Sequence, residues 1–532
     1  MKVRPARIGH GVLVAVAALL LVQGGAVAAV PSGVFGGGWP AAGHDIGNTR
    51  NAADERAVGT RNVSKLATVW RLTTAGSVTV TPTEAGGTVY FPDSGGMLWA
   101  VAADDGRVRW SHRVSEYTGI AGDVSRTSPA VYGDELVFGD SNGARAGAWV
   151  IAADRHTGEL RWRTQVDAHL AAVISGAAVV YRSVVYEGVS SDEEVLATLP
   201  GYRCCSFRGS VVALDAATGR LLWKTYTVPS GYSGAAVWGS TPAIDPETNL
   251  VYVGTGNNYA APPGVCTTPG QAGCAPPAAG DHADSILALD RTTGAVAWFK
   301  STLSSDVFTL VCGTHPTGTC GPDFDFGSGP NLIRLPSGRR ILGIGQKSGV
   351  YWALDARTGA PVWQTRVGPG GALGGIEWGS ATDGRRVYAA ITNFYRETYP
   401  ITSADGTTSI IDGGSWAALD AATGKILWQV ADPQKAADIG YVSTANGVVY
   451  AGSAAPTGAD MYALDAATGR VLWRFDSGAS VVSGAAIARG RVFWGSGYTL
   501  PVGSCDPATV PLGYCTTSND VFYAFAAPPR AH

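Results

Sequence analysis

The chain has 532 residues, a formal net charge of −3 and only 15% charged residues, and it has no basic run beyond its first residues, which excludes a nucleic-acid footprint. Glycine reaches 72 and tryptophan 16, while methionine is only 3; that balance favours short strands and tight turns over helices. The length is too great for one small domain, but a toroidal array of repeats absorbs it whole.

Residues 1–28 read as an export signal, with Lys2, Arg4 and Arg7 ahead of the apolar run GVLVAVAALLLV (11–22) and Ala26-Val27-Ala28 as a cleavage site. The run is too short to span a bilayer, so the mature protein is expected outside the cytoplasm. Residues 29–60 form a lead-in, 61–527 the main fold and 528–532 a tail. The eight cysteines fit an oxidising compartment. Cys266 with Cys274, Cys312 with Cys320 and Cys505 with Cys515 each close a short loop, which leaves the adjacent Cys204 and Cys205. No Cys-x-x-Cys-His is present, so no covalent haem attachment is expected.

One phrase, Ala-x-Asp-x-x-Thr-Gly-x-x-x-Trp, organises the rest. It is clearest at 213–223, 288–298, 353–363, 418–428 and 463–473, and weaker at 100–110 and 151–162. A strand ends at Ala-Leu-Asp, the turn reverses the chain with glycine at positive φ, and the next strand carries the Trp. The indole can wedge between neighbouring sheets. Trp70 lacks the preceding half of the phrase, and VFYAFA (521–526) lacks the following half. Joined, the two halves make one more unit, which closes the ring and removes open sheet edges. The expected fold is therefore all-β: an eight-bladed β-propeller closed by its N- and C-terminal strands. The extra length falls in loops at 190–210, 258–284, 301–330, 367–380 and 395–416, which should build up one face of the ring.

Two other signals compete. GDSNG (139–143) fits Gly-x-Ser-x-Gly, but a turn and a strand follow where a nucleophile elbow needs a helix. His169 lies before a strand and reads as structural. The repeat alone specifies architecture, so a protein- or polymer-binding scaffold stands beside any enzymatic reading.

The Trp repeat, together with the opening WPAAGHDIGNTRNAADERAVGTRNVSKLATVW (39–70), resembles the quinoprotein alcohol dehydrogenases that hold pyrroloquinoline quinone (PQQ). SRTSPAV, SSDEE, CCSFRGSVVALD and GQKSG are similar to the polyvinyl-alcohol dehydrogenase branch, and the resemblance runs over roughly residues 39–526. It implies PQQ- and calcium-dependent oxidation of secondary alcohols or polyols, with electrons passed to a separate acceptor. PQQ is a planar tricarboxylate quinone. It needs cations for its carboxylates, flat surfaces for its faces and a divalent cation at its carbonyl, while the alcohol needs a carboxylate base.

The resemblance assigns residues to these parts. Glu193, three after Ser190 in GVSSDEE, and Asn257 in GTGNN would bind the metal with Asp325. Asp325, between Phe324 and Phe326, would be the catalytic base, with Asp323 as the alternative. Gly327, two residues on from Asp325, favours calcium over a lanthanide. Arg126 and Lys347 would meet PQQ oxygens, with Ser175 and Asn393 as further cofactor contacts, and Trp238 would stack on one face. Cys204-Cys205 would cover the other face as a disulfide of adjacent residues. In methanol dehydrogenases that pair precedes the segment equivalent to Asp123-Val124. Here it sits between SSDEE and FRGS, so it either serves the same face from another loop or pairs elsewhere.

Overall fold

The computed structural model describes Met1 and residues 37–141, 146–239, 241–313, 320–499 and 515–528. The chain divides at Val34/Phe35, and the unit described below is Phe35–His532. The export signal and Cys505 lie outside the described residues.

Eight sheets follow one another along the chain, each built on four antiparallel strands; the third gains the short strand Ala172–Val173, and the seventh gains Asn51–Ala52 of the lead-in, paired parallel to Val442–Ala445. Blade 1 runs from Thr83–Ala85 to Val108–Arg113, blade 2 from Ala130–Tyr132 to Leu160–Asp167, and blade 3 from Val179–Tyr181 to Leu221–Tyr226. Blade 4 runs from Ala243–Asp245 to Val296–Ser301, blade 5 from Asn331–Arg334 to Pro361–Arg366, and blade 6 from Ala381–Thr382 to Ile426–Ala431. Blade 7 runs from Val442–Ala445 to Val471–Phe475. Blade 8 takes three strands from the C-terminal part, ending with Val521–Ala526, and its outer strand, Ala67–Thr73, from the N-terminal part. The ring is closed as the two half-repeats require.

The repeat phrase works at the seams between blades. In the turns, the Asp side chain accepts the Thr backbone N–H, as at Asp215 with Thr218 (3.0 Å). The glycine adopts positive φ, as at Gly219 (φ 69°). That glycine is where the preceding blade's indole rests: a Cβ on Gly219 would lie 2.4 Å from Trp162 Cε3. The indole N–H then donates across the seam, from Trp162 to Ala216 O at 2.6 Å, from Trp363 to Ala421 O at 3.1 Å and from Trp428 to Ala466 O at 3.1 Å. At the last seam no such turn is available, and Trp473 donates to Leu66 O (3.0 Å), just ahead of the strand Ala67–Thr73. Most seams therefore combine indole burial with a satisfied donor; at the blade 4 seam the Trp298 indole N–H is buried without a partner.

The lead-in does more than precede the ring. Backbone hydrogen bonds join Gly37 O to Arg489, Trp39 to Glu84, Pro40 O to Val131, Ile46 O to Ile244, Gly47 O to Leu332, Thr49 O to Thr382 and Arg50 O to Thr444. These partners lie on or beside the inner strands of blades 8, 1, 2, 4, 5, 6 and 7 in ring order, so residues 37–50 circle the axis. Arg50 is fully buried there, donating to Val442 O, Ala42 O and Thr81 Oγ1 and lying over the Tyr441 ring at 4.6 Å.

Topology decides which end of the ring can carry a site. In a four-stranded meander, the second-to-third-strand loops and the blade-to-blade connections leave from one end; the Asp-x-x-Thr-Gly turns leave from the other. All five long loops belong to the first set. Disulfides join Cys266 to Cys274 and Cys312 to Cys320 within two of them, and Cys204 is bonded to Cys205 in a third. Among the described residues no helix is long and apolar enough to cross a membrane.

Candidate active site

Every residue expected at the site lies in a loop at the built-up end. Arg126, Ser175, Trp238 and Asp325 come from connections between blades; Glu193, Asn257, Lys347 and Asn393 come from second-to-third-strand loops. Four of them converge. The backbone N–H of Asn257 donates to Asp325 Oδ1 at 2.6 Å. Lys347 Nζ lies 3.3 Å from Asp325 Oδ2 and donates to Asp323 Oδ1 and Oδ2 at 3.0 and 3.2 Å. Gly256 permits the closest approach, since a Cβ there would lie 2.7 Å from Trp238 Nε1 and 2.8 Å from Asp325 Oδ1. Base, lysine, amide and indole therefore share one small volume.

Two polar atoms there are buried without a partner: the Asn257 amide oxygen and the Trp238 indole N–H. The Asn257 amide nitrogen is committed, donating to Asn258 O and Phe308 O at 2.7 and 2.8 Å, which leaves its oxygen as an unpartnered acceptor. A buried acceptor left unsatisfied is costly, and an amide oxygen beside a carboxylate is a hard donor set of the kind calcium takes.

The field is acidic. Burial works against the Lys347 ammonium, but Asp323, Asp325, Glu377 and Glu194 outweigh it and hold its pKa well above the ordinary lysine value. Burial raises Asp323 well above the usual carboxylate range, with Lys347 opposing. It pushes Glu377 and Asp306 up to about 7. Asp284, fully buried with both carboxylate oxygens unpartnered, is raised by burial and by Asp306, Asp325 and Asp323. One lysine faces more carboxylates than it can balance, which leaves room for a further cation.

Glu193, expected at the metal, is placed elsewhere. Its carboxylate accepts from Tyr202 Oη (2.9 Å), Ser206 N (2.9 and 3.1 Å) and Phe207 N (2.8 Å), with His169 Nε2 3.6 Å away. It anchors the loop that holds Cys204 and Cys205. The next residue, Glu194, belongs instead to the field of Lys347 and Asp325. It keeps partial access to solvent, yet burial pushes its carboxyl up to about 8, with Lys347 opposing and Asp325 and Asp192 adding. Counting three from Ser190 assumes an extended segment, whereas Glu193–Leu196 is a helical turn and advances neighbouring side chains by about 100°.

Asn393 is also committed. Its Nδ2 donates to Glu397 O, Asp412 O and Gly413 O, and its Oδ1 accepts from Glu397 N, so the side chain ties its own loop. Ser175 Oγ meets Ser190 Oγ at 2.6 Å. Arg126 is exposed, 5.7 Å over the Trp378 ring, and Trp378 packs against Tyr441 and Tyr498. Cys205 and Trp238 pack against one apolar cluster containing Phe207, Ala236 and Tyr259. Ser141 of GDSNG donates to Ile174 O (2.6 Å) and accepts from Arg126 N. Sequence reasoning missed Glu194, Glu377, Asp284 and Asp306. The signal available for Glu377 was an acid among apolar neighbours in IEWGS.

A family model described as the β-propeller domain of glucose/ethanol/alcohol dehydrogenases matches residues 225–375, and one described as outer membrane protein assembly factor BamB matches residues 65–202 and 412–508. The dehydrogenase match contains Trp238, Asn257, Asp325 and Lys347. The chain is 32% identical over 402 residues to a polyvinylalcohol dehydrogenase of Sphingopyxis sp. (strain 113P3), an alignment covering 70% of the chain and 56% of that protein. It is 31% identical over 353 residues to one of Pseudomonas sp., covering 62% and 52%. The chain thus spans about half the length of the curated relatives it matches. In fold it superposes on quinohemoprotein alcohol dehydrogenase ADHIIG of Pseudomonas putida HK5 with a TM-score of 0.71 at 19% identity, over 93% of the chain and 81% of that structure. Repeat, ring and relatives agree, and the chain belongs to the quinoprotein alcohol dehydrogenase family of PQQ-type β-propellers.

Proposed function

We propose that this protein is a PQQ- and calcium-dependent oxidoreductase acting on secondary alcohols, with polyvinyl alcohol or a similar polyol as substrate. It is exported from the cytoplasm and hands its electrons to a separate acceptor. The observation that carries this reading is the convergence of Asp325, Lys347 and the unpartnered Asn257 oxygen beside Trp238.

Asn257 Oδ1, Asp325 and Glu194 would hold the calcium, two carboxylates and an amide being suitable oxygen ligands. Trp238 and the Cys204–Cys205 disulfide would face the cofactor ring, and Lys347 and Arg126 would meet its oxygens, with Ser175 behind. Bound PQQ supplies a two-electron acceptor whose reacting carbonyl the cation polarises. Asp325 has one oxygen fixed by the Asn257 N–H at 2.6 Å. Its Oδ2 has only the longer Lys347 contact at 3.3 Å and is the atom that takes the hydroxyl proton. Trp378, Tyr441 and Tyr498 pack together at the built-up end, an aromatic cluster suited to a chain of alternating methylene and carbinol groups. The adjacent-cysteine disulfide and the apolar N-terminal run support export.

Titration of the purified chain with PQQ, followed by tryptophan fluorescence, tests this reading. Saturable quenching near one equivalent, present with calcium and abolished by chelation, is expected. No binding with calcium present overturns it and leaves a binding scaffold.

A further inference from the structure

Away from the axial site, the connection from blade 6 to blade 7 carries two carboxylates with no cation. Asp432 and Asp438 are 2% and 1% exposed. Asp432 Oδ1 accepts from Gln434 N (2.5 Å) and Ala436 N (3.4 Å). Its Oδ2 and both oxygens of Asp438 are buried without a donor. The two carboxylates and the buried Ser453 hydroxyl are close enough to share hydrogen bonds.

Among the described residues no Lys or Arg acts on either carboxylate. Lys435, between them in sequence, is turned outward and pairs with Asp412 at 3.3 Å. The Tyr399 and Tyr462 hydroxyls donate elsewhere, to Ser415 Oγ and Ala459 O. Gly414 makes room, since a Cβ there would lie 2.7 Å from Asp438 Oδ2. Burying ionised carboxylates without a partner is strongly unfavourable. A single shared proton, with the Ser453 hydroxyl and two backbone N–H groups, would still leave one buried negative charge without a counter-charge. A divalent cation answers both charges and all three oxygens.

We propose that Asp432, Asp438 and Ser453 form a structural divalent-cation site of calcium type, separate from the catalytic end. Oxygen-only donors select a hard cation over zinc or copper. Backbone hydrogen bonds link the same segment to Gly414, through Asp432 N to Gly414 O and Gly414 N to Ala436 O. Gly414 ends the blade 6 excursion that contains the hairpin Tyr399–Thr402 and Thr408–Ile411. The ion therefore clamps that hairpin against blade 7.

The experiment uses the full chain and calcium alone, without PQQ. In the Asp325→Ala variant, whose axial ligand is gone, calcium at about 100-fold over its Kd should raise Tm by roughly 3 °C. Adding Asp438→Asn should abolish that rise, and Asp438→Asn in the wild-type chain should lose one equivalent of bound calcium by elemental analysis. Ser453→Ala keeps both charges and serves if Asp438→Asn fails to fold; its calcium midpoint should weaken about tenfold. Equal calcium content and equal Tm response with and without Asp438→Asn overturns the site. So does a wild-type midpoint unchanged in Ser453→Ala together with no calcium response in Asp325→Ala, which would mark a proton-sharing pair.

Discussion

Glu193→Gln separates an anchor from a ligand. The wild-type carboxylate accepts from Tyr202, Ser206 and Phe207, with distances of 2.8–3.1 Å. An amide keeps one acceptor oxygen and turns an N–H₂ toward at least one backbone N–H. About two charge-assisted hydrogen bonds are lost, at roughly 1.5–3 kcal/mol each, so about 3–6 kcal/mol is expected. A unit spanning Phe35–His532 has about 1 kcal/mol/K of unfolding entropy, at roughly 2.1 cal/mol/K per residue. Calorimetry should therefore show Tm lower by roughly 3–6 °C. Glu194→Gln should leave Tm within about 1 °C while removing calcium-dependent PQQ binding. The reasoning fails if Glu193→Gln leaves Tm unchanged and destroys the calcium response, because Glu193 would then be the ligand.

Two further predictions concern the frame. Gly219→Ala places a Cβ 2.4 Å from Trp162 in a left-handed turn; the combined strain and overpacking should cost about 2–4 kcal/mol, read as a lower Tm. Glu187 is fully exposed to no solvent in blade 3, and burial pushes its carboxyl up to about 8. A raised folded pKa means that its contribution is complete below the unfolded value and is lost as pH rises through about 8. Glu187→Gln should therefore flatten the fall in Tm between pH 6 and pH 9, and an unchanged slope would count against the assignment.

The ring was legible because its signal is periodic and local. Each Asp-x-x-Thr-Gly turn and its Trp carry the seam in sequence, and the half-repeats at Trp70 and VFYAFA foretold Ala67–Thr73 pairing with Val521–Ala526. Convergence of Asn257, Asp325 and Lys347 was legible through motifs on short, regular connections. Glu194 was not, because in a helical turn one residue of phase separates the carboxylate that accepts from Ser206 and Phe207 from the one that feels Lys347 and Asp325. The loop-closing role of Asn393 was not legible either, because its amide meets residues up to 20 positions away. The path of residues 37–50 around the inner strands depends on backbone hydrogen bonds, which leave no side-chain pattern to read.

The most direct test of the central claim is dye-linked turnover. The purified chain, reconstituted with PQQ and calcium, is assayed on secondary alcohols and polyvinyl alcohol beside Asp325→Ala. The account predicts turnover that requires both additions and falls by at least about 10³-fold in the variant, the scale of a lost general base. Turnover that persists in Asp325→Ala, or a wild-type chain that binds PQQ and oxidises no alcohol, would contradict it.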